Sequence, residues 1–377
     1  MGIGLMSGTS LDGLDVALCR FAGNGLNTSF ELVAFETLPY PDDFKSEVRE
    51  VFSKKMVDLE KLTLLNAFIG NYHASLILTC LSEWEVNAED VDFIASHGQT
   101  IYHAPKSLHG QIDYPNATLQ IGDGDHIAVK TGILTISDFR QKHIAGGGQG
   151  APLALYGDVI LGSKAGEDRI LLNIGGIANF TFLPGDGDTS RVMCTDIGPG
   201  NTLIDAACKV YFDKAYDEDS KIALSGTVND SLLKALLDHP FFKEALPKTT
   251  GPELFNLEYL RKAQQKSDTI NLTHADIVAT LSLFTAQTIA DAVLQFNIPK
   301  GAKLFASGGG AHNPFVMQQL QTLLPQILIG NTSELGIQPD AKEAILFALL
   351  GNEALCGEPT PIGNNPKVLM GKFSFPI

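Results

Sequence analysis

The feature that most constrains the fold of this sequence is a pattern that occurs twice along the chain. Each copy has a short apolar strand, a glycine-containing turn and two further strands. The first copy places its strands at residues 3–6, 14–21 and 30–37, with a turn at 7–10. The second copy places its strands at residues 170–174, 177–183 and 192–195, with a turn at 175–176. Two such copies about one domain apart predict an α/β chain built by duplication.

The length of the chain also favours two domains, because 377 residues exceed what one ordinary core encloses. We expect the first domain at residues 1–145, with the C-terminal segment 345–377 packing back on it. The second domain is expected at residues 146–344, with the glycine-rich hinge near its start, at 146–150. Further helices are predicted at 43–52, 57–81, 202–212, 275–296 and 340–350, and further strands at 91–95, 133–136 and 303–306.

Charge and cysteine content exclude several classes of protein. The net charge of −16, without any run of Lys or Arg, argues against nucleic acid or an anionic membrane as partner. The five cysteines are dispersed and form no CxxC motif, which is typical of a protein of the reducing cytoplasm. The sequence shows no signal peptide and no run approaching the roughly 18 apolar residues of a membrane span, so we expect a cytoplasmic protein.

The glycine-rich turns indicate how the chain could bind phosphate. No GxxxxGK[ST] loop occurs, and Gly2, Gly4 and Gly8 have the wrong spacing for a dinucleotide fingerprint. The two hairpin tips at 7–12 and 173–179 are instead rich in Gly, Ser, Thr and Asn. Facing tips of this kind can hold a triphosphate through backbone N–H groups, together with the later turn at 307–310. The alternative is two ordinary tight hairpins.

Several short motifs, in order over essentially the whole chain, resemble the anhydro-N-acetylmuramic acid kinase family of the sugar kinase, Hsp70 and actin superfamily. These motifs are GLMSGTSLDGLD at residues 4–15, SHGQT at 96–100, QIGD at 120–123, DFR at 138–140, GGGQGAP at 146–152, NIGGIAN at 173–179, DIGPGN at 196–201 and SGGGAHN at 307–313. The resemblance implies a two-lobed, actin-like ATPase fold, which is a duplicated ribonuclease H-like fold, whose lobes close around the nucleotide.

The resemblance also implies a specific reaction with ATP and Mg²⁺ as cofactors. The internal ether of 1,6-anhydro-N-acetylmuramic acid is opened by water and O6 is phosphorylated, which gives N-acetylmuramic acid 6-phosphate and ADP in the recycling of cell-wall sugars. The family likeness further implies a homodimer that acts on a small anhydro amino sugar. Because O6 of this sugar carries no proton, the reaction needs a carboxylate that activates water. We assign that role to Asp196; its alternative is a cap for the following helix.

Thirteen residues are expected to contact the nucleotide. They are Gly8, Thr9, Ser10, Leu11, Asp12, Gly13, Leu14 and Asp15 at the phosphates, Gly175 and Gly176 on the opposing turn, and Gly308, Gly309 and Gly310 near adenine and ribose. Asp12 is also expected to face magnesium through water.

Six residues are expected to contact the sugar, namely His97, Gln99, Thr100, Asp138 and Arg140 of the first domain, and Glu343 at the start of the last helix. Most of them follow strands, at the carboxyl ends where ligands of open α/β sheets gather. Arg140 suits the lactyl carboxylate of the sugar, and its alternative is an ion pair with Asp138. The alternative for Glu343 is an exposed helix glutamate.

Two other functions compete with this reaction. One is an actin-fold kinase for another small acceptor, such as a free hexose or acetate. The other is a non-catalytic, nucleotide-dependent binding module, for which the SHGQT and DFR segments would need a separate explanation. Turnover of ATP only in the presence of the anhydro sugar would distinguish the three.

Overall fold

The structure is a computed structural model that describes residues 1–296, 298, 301–336, 338 and 340–377. The chain forms two compact units, Met1–Leu161 with Ile337–Ile377, and Gly162–Gly336. The change from one unit to the next falls later in the chain than the boundary expected at 145–146. The assignment of the two units to two catalytic lobes stays a prediction.

Within the described residues, unit 1 contains the following strands and α-helices: β1 (Gly2–Ser7), β2 (Gly13–Ala22), β3 (Ser29–Pro39), α1 (Asp42–Arg49), α2 (Leu59–Glu83), β4 (Phe93–Ala104), α3 (Lys106–His109), β5 (Ala117–Ile121), α4 (Gly124–Thr131), β6 (Thr135–Ser137), α5 (Phe139–Ala145), and, after the second unit, α13 (Lys342–Cys356) and β12 (Lys372–Ser374). Helix α6 (Ala154–Gly162) reaches the boundary between the units.

Within the described residues, unit 2 contains β7 (Arg169–Ile174), β8 (Ile177–Leu183), β9 (Met193–Pro199), α7 (Thr202–Phe212), α8 (Lys221–Ser225), α9 (Asp230–Leu237), α10 (Leu257–Ser267), α11 (His274–Gln295), β10 (Lys303–Ser307), α12 (Pro314–Leu323) and β11 (Leu328–Asn331).

Five strands of each sheet share one order, which confirms the predicted duplication. In unit 1 the order is β12-β6-β4-β1-β2-β3, with β5 paired to β4. In unit 2 the order is β11-β10-β7-β8-β9. In each, the first three strands form an antiparallel meander and the fourth pairs in parallel with the first. This 3-2-1-4-5 order is the ribonuclease H-like plan of the predicted actin-like fold.

Each sheet has its own hydrophobic core and the helices that cover it. In unit 1, α2 and α4 pack together, and Ile69 and Ile77 of α2 are fully buried. Helix α13 covers β1, β2 and β4 so closely that a Cβ at Gly4 would lie 1.9 Å from the carbonyl oxygen of Ala344. In unit 2, α11 lies in the centre of the core with Phe284 fully buried. These packed helices fix the strand ends from which the turns project.

The extent of β4 differs from the prediction. The strand was expected to end at residue 95 and to present residues 96–100 beyond its end, but it continues to Ala104. The reason is the partner β5, which was not predicted and which pairs with residues 99–104 of β4 in the antiparallel direction. The SHGQT motif therefore lies inside a strand, but the register with β1 shifts between the pairs Leu5–Ser96 and Ser7–Gln99, and Gly98 in this bulge has a φ of +72°.

Among the helices of the described residues, two are long and apolar enough to cross a membrane by length and composition. These are α2, with a mean hydropathy of 1.3, and α11, with 1.6 over its most apolar window. The sequence-based expectation of no such segment was therefore too strong. Buried residues make up 44% of that window in α2 and 78% in α11. Core helices of soluble proteins pass the same test, so this is weak evidence for a membrane span.

Candidate functional site

The turn between β1 and β2 has an exposed tip, and the two leucines that follow the tip are buried in the core. The N–H of Leu11 donates to the carbonyl of Gly8 at 3.3 Å, and Leu11 has a φ of +58°. Thr9 and Ser10 are exposed, whereas the side chains of Leu11 and Leu14 are buried in the core. Of the residues expected at the phosphates, these two leucines could therefore contact a nucleotide only through their backbone.

The carboxylate of Asp12 is suited to interact with a cation. It is exposed, and its Oδ1 accepts from Ser10 Oγ at 2.7 Å and from the N–H of Gly13 at 3.1 Å. The hydrogen bond from Ser10 lowers the pKa of Asp12, so the group stays ionised. Asp15 differs, because it accepts from Thr37 Oγ1 at 2.6 Å and its burial raises its pKa.

Arg140 and His97 form the best-defined polar pair among the residues expected to contact the sugar. Arg140 donates from Nε (3.2 Å) and Nη2 (3.0 Å) to Nε2 of His97, and from Nη1 to the carbonyl of Gly150 (2.7 Å). Burial and the guanidinium together lower the pKa of His97 to about 3, so this imidazole is neutral. Three of the five N–H groups of Arg140 are used in this way, which leaves two for a ligand.

Asp138 does not pair with Arg140, so the alternative considered for that arginine is wrong. Its Oδ2 instead binds Lys372 Nζ of β12 at 2.5 Å, and its Oδ1 has no hydrogen-bond partner in the described part of the chain. Asp138 has a φ of +52°, a left-handed conformation that aspartate tolerates better than most residues. It lies with His97 in the lining of a cavity of about 350 Å³.

The remaining three residues expected to contact the sugar differ in exposure. Gln99 is fully buried and bonds to Ser7 Oγ at 2.6 Å. Thr100 Oγ1 accepts from Gln120 Nε2 at 3.2 Å. Glu343 is exposed in the first turn of α13, as the alternative reading expected, yet the protein atoms around its carboxylate and the charge of Asp15 raise its pKa. Gln99 therefore supports the site from within the core, while Thr100 and Glu343 remain candidates for contact with the sugar.

In unit 2, three glycine-rich turns meet at one end of the sheet. The N–H groups of Gly200 and Asn201 donate to the carbonyls of Gly176 (2.9 Å) and Gly175 (2.8 Å), respectively. Asn201 Nδ2 also donates to the carbonyl of Ile174 at 3.1 Å. The turn after β10 lies against the same strand end, since a Cβ at Gly310 would be 2.2 Å from Ile174 Cγ2. The structure thus brings together the five glycines that were predicted for this part of the nucleotide site.

Only some of these glycines are required by packing. At Gly308 (φ +79°) a Cβ would be 2.7 Å from Asn173 Oδ1, and Gly310 would collide with Ile174. At Gly175 and Gly309, in contrast, the nearest described heavy atoms would be 3.5 and 3.6 Å from such a Cβ. The protein itself therefore does not demand glycine at these two positions, which fits backbone left bare for a ligand.

Asp196 lies within β9 and is half-buried. Its Oδ2 accepts from the N–H of Thr250 at 3.0 Å, and its own N–H donates to the carbonyl of Lys248 at 3.0 Å. Helix α7 begins at Thr202 after Asn201, so Asp196 does not cap it and that alternative is wrong. Burial raises the pKa of Asp196 while the hydrogen bond from Thr250 opposes this, so the carboxylate is a stronger base than an ordinary exposed aspartate.

Sequence reasoning missed two features of unit 2. The first is the loop at 248–250, which pairs with β9 and is fixed by Lys248, whose Nζ donates to the carbonyl of Phe241 and lies 4.2 Å from the centre of its ring. No sequence signal marks this long-range pairing. The second is Asp205 of α7, whose burial raises its pKa to about 6. Its position shortly after the DIGPGN motif was the available signal.

Within the described residues, no group of three or more His, Cys, Asp or Glu side chains is arranged to hold a metal ion.

Comparison with known proteins shows which family this chain resembles. A family model described as anhydro-N-acetylmuramic acid kinase matches residues 1–371. The chain is 55% identical to the anhydro-N-acetylmuramic acid kinase of Pseudoalteromonas atlantica, over 99% of this chain and 95% of the relative. It is 38% identical to the protein of that name from Caldanaerobacter subterraneus, over 99% and 96% of the two chains. Among solved structures, a ROK hexokinase from Thermus thermophilus aligns with a TM-score of 0.35 and 12% identity over 92% of this chain and 96% of that one.

Proposed function

The chain belongs to the anhydro-N-acetylmuramic acid kinase family, and we propose that it catalyses the reaction for which the family is named. In this reaction, water opens the 1,6-anhydro ring of 1,6-anhydro-N-acetylmuramic acid and O6 receives the γ-phosphoryl group of ATP. The products are N-acetylmuramic acid 6-phosphate and ADP. The enzyme is thus a phosphotransferase of cell-wall sugar recycling.

The observation that carries this proposal is the similarity to named relatives over nearly the full chain, at up to 55% identity among those described above. A kinase for another acceptor, or a non-catalytic nucleotide-binding module, is not favoured by it. The duplicated fold and the three glycine-rich turns of unit 2 support the use of ATP, because backbone N–H groups in such turns bind phosphate.

Asp196 is proposed as the base that activates water. As the carboxylate takes a proton from water, the water oxygen bonds to the anomeric carbon and the bond from that carbon to O6 breaks. O6 then bonds to the γ-phosphorus, and the bond from that phosphorus to the leaving oxygen of ADP breaks. The half-buried position and the N–H of Thr250 hold the carboxylate in one orientation, and its raised pKa makes it a better proton acceptor.

The cofactors proposed are ATP and Mg²⁺. Asp12 fits the cation, because its exposed carboxylate keeps Oδ2 outside the hydrogen bonds that Ser10 and Gly13 make to Oδ1. A single carboxylate that acts through water is typical of Mg²⁺ bound with a nucleotide. Mg²⁺ bound with ATP neutralises charge that develops on the phosphates. Gly8, Thr9 and Ser10 are proposed to contact the phosphates, as are Gly175 and Gly176, and residues 308–310 to contact adenine and ribose.

Arg140 is proposed to bind the lactyl carboxylate of the sugar through its two unused N–H groups. Its bonds to His97 and to Gly150 fix the plane of the guanidinium, which suits it to recognise a planar carboxylate. His97, Thr100, Asp138 and Glu343 are proposed to contact the sugar as well. We further propose that the protein works as a cytoplasmic homodimer.

A coupled assay of ADP release tests the function. Purified protein should release ADP rapidly only when ATP, Mg²⁺ and 1,6-anhydro-N-acetylmuramic acid are all present. Free N-acetylmuramic acid, a hexose and acetate serve as acceptor controls. Equal turnover with a hexose or acetate would overturn the proposal, as would release of ADP at the same rate without the anhydro sugar.

A further inference from the structure

Four buried polar side chains of unit 1 form one continuous series of hydrogen bonds beneath the β1–β2 turn. His73 Nε2 lies 2.9 Å from Tyr40 Oη, and Tyr40 Oη lies 2.8 Å from Ser7 Oγ. Ser7 Oγ lies 2.6 Å from Gln99 Oε1, and Gln99 Nε2 lies 3.3 Å from the carbonyl oxygen of Gly8. All four side chains are at most 2% exposed. We call this series the turn relay.

The carbonyl of Gly8, at the end of the turn relay, determines which group donates in each of its hydrogen bonds. The carbonyl of Gly8 can only accept, so Gln99 must turn its NH₂ group toward it and its oxygen toward Ser7. Ser7 has one hydroxyl proton and gives it to Gln99, so the bond between Ser7 and Tyr40 must be donated by Tyr40. Tyr40 has then used its only proton, so Nε2 of His73 must carry hydrogen and donate.

The surroundings of His73 agree with this direction. Its Nδ1 is buried and has no hydrogen-bond partner among the described residues, as expected for a nitrogen that carries only a lone pair. Burial lowers the pKa of His73 to about 4, so the ring is neutral in the range where enzymes of the cytoplasm work. Hydrogen bonds that all point the same way strengthen one another, because each donor is polarised by the next.

The turn relay ends at the part of unit 1 that is proposed to bind phosphate. The carbonyl of Gly8 accepts from Gln99 and also from the N–H of Leu11, which closes the turn. The backbone N–H of Tyr40 donates to the carbonyl of Asp12 at 3.1 Å, so Tyr40 holds the far side of the same turn. Small shifts in such a turn matter, because misplacement by about 1 Å can cost about 10²-fold in rate.

We propose that His73, Tyr40, Ser7 and Gln99 are positioning residues that fix the β1–β2 turn for ATP through this one-way relay of hydrogen bonds. Gln99 is then a support of the nucleotide turn and makes no direct contact with the sugar. The link to ATP rests on the proposed function, whereas the direction of the relay rests on the geometry alone.

The tautomer of His73 tests the direction without any assay of activity. Protein with ¹⁵N-labelled histidine gives nine histidine signals, and the signal that the His73→Gln variant lacks belongs to His73. We expect this ring to carry hydrogen on Nε2 and to stay neutral when the pH is lowered to 5. Hydrogen on Nδ1 instead, or a charged ring at neutral pH, would overturn the proposal even if the kinase reaction is confirmed.

A pair of matched variants tests the positioning role. Tyr40→Phe removes the donor to Ser7, and Tyr72→Phe removes a hydroxyl from the same aromatic cluster but outside the relay. We expect Tyr40→Phe to raise KM for ATP about tenfold and to change KM for the sugar less than twofold. Tyr72→Phe should leave both values within twofold of the wild-type protein.

The His73→Gln variant separates loss of the relay from general destabilisation. Glutamine offers an N–H donor at a reach similar to Nε2, so this variant should keep KM for ATP within about threefold of the wild type. Equal effects of Tyr40→Phe and Tyr72→Phe, or equal rises in both KM values, would contradict the proposal. If the protein proved not to be a kinase, the affinity of the same variants for a non-hydrolysable ATP analogue would still test whether the turn relay positions the turn for ATP.

Discussion

At the scale of single residues, the position of Asp196 depends on a partner far away in sequence. The carboxylate lies inside β9, and the N–H of Thr250 fixes one of its oxygens. Because Lys248 anchors that loop against Phe241, the orientation of the carboxylate is set by packing around it. Asp196 is only half-buried, so its carboxylate is held in place and still partly accessible to water.

The first prediction concerns the base. Asp196→Asn should reduce phosphorylation of the sugar by at least ~10²–10⁴, because the amide cannot take a proton from water. Binding of ADP, measured by calorimetry, should stay near the wild-type value. Asp213→Asn, at an exposed position in the same unit, is the matched control and should keep normal turnover. If Asp196→Asn kept more than about a tenth of wild-type turnover, another group would have to be the base.

At the scale of secondary-structure elements, the strand ends decide where the turns can lie. The three turns of unit 2 meet because β7, β8, β9 and β10 are neighbours in one sheet. Hydrogen bonds join the turns after β7 and β9, and the turn after β10 packs against Ile174. A Cβ at Gly310 would overlap Ile174, whereas a Cβ at the neighbouring Gly309 would make only an ordinary contact, 3.6 Å from Asn201 Nδ2. Neighbouring glycines in one motif therefore serve different purposes.

The second prediction uses this difference. Gly310→Ala should lower the free energy of unfolding by about 1–3 kcal/mol, because its Cβ would overlap Ile174 in a closely packed core. Gly309→Ala should change that free energy by less than about 0.5 kcal/mol but weaken binding of ATP. Chemical denaturation and calorimetry with a non-hydrolysable ATP analogue measure the two effects. Unchanged nucleotide affinity in Gly309→Ala would show that the backbone there does not contact the nucleotide.

At the scale of the whole molecule, the chain repeats one fold, and the two copies carry different candidate site residues. Unit 1 carries the Arg140–His97 pair and the exposed Asp12, and unit 2 carries Asp196 and the glycine-rich turns. Helix α13 belongs to unit 1 although it follows unit 2 in sequence, so the chain returns to its first core. The proposed reaction fixes the origin of two oxygen atoms of the product, the one at the anomeric carbon and O6.

The third prediction is that the oxygen at the anomeric carbon of the product comes from solvent, since the anhydro ether itself supplies O6. The reaction should be run briefly in ¹⁸O-labelled water and the label located by mass spectrometry. Finished product kept in labelled water for the same time controls for spontaneous exchange at that carbon. Label on the phosphate would indicate hydrolysis of ATP and contradict ring opening coupled to phosphoryl transfer.

The sequence by itself determined the duplicated plan and most of its main elements. The strand at 177–183 and the helix at 202–212 were predicted with the bounds that the structure gives. Such segments are legible because apolar periodicity and glycine turns are local signals. Gly175, Gly176 and the three glycines at 308–310 were likewise named from the sequence, and their contact with the nucleotide stays a prediction. The family resemblance was confirmed by comparison.

Only the tertiary structure decided which polar residues support the site and which face outward. It buried Gln99 in the turn relay, paired Asp138 with Lys372 in place of Arg140, and brought Thr250 to Asp196. It also extended β4 by pairing it with β5. Each of these outcomes joins residues that are distant in sequence, and a buried polar group takes whichever partner the packed core brings within hydrogen-bond distance. No local pattern in the chain encodes that choice.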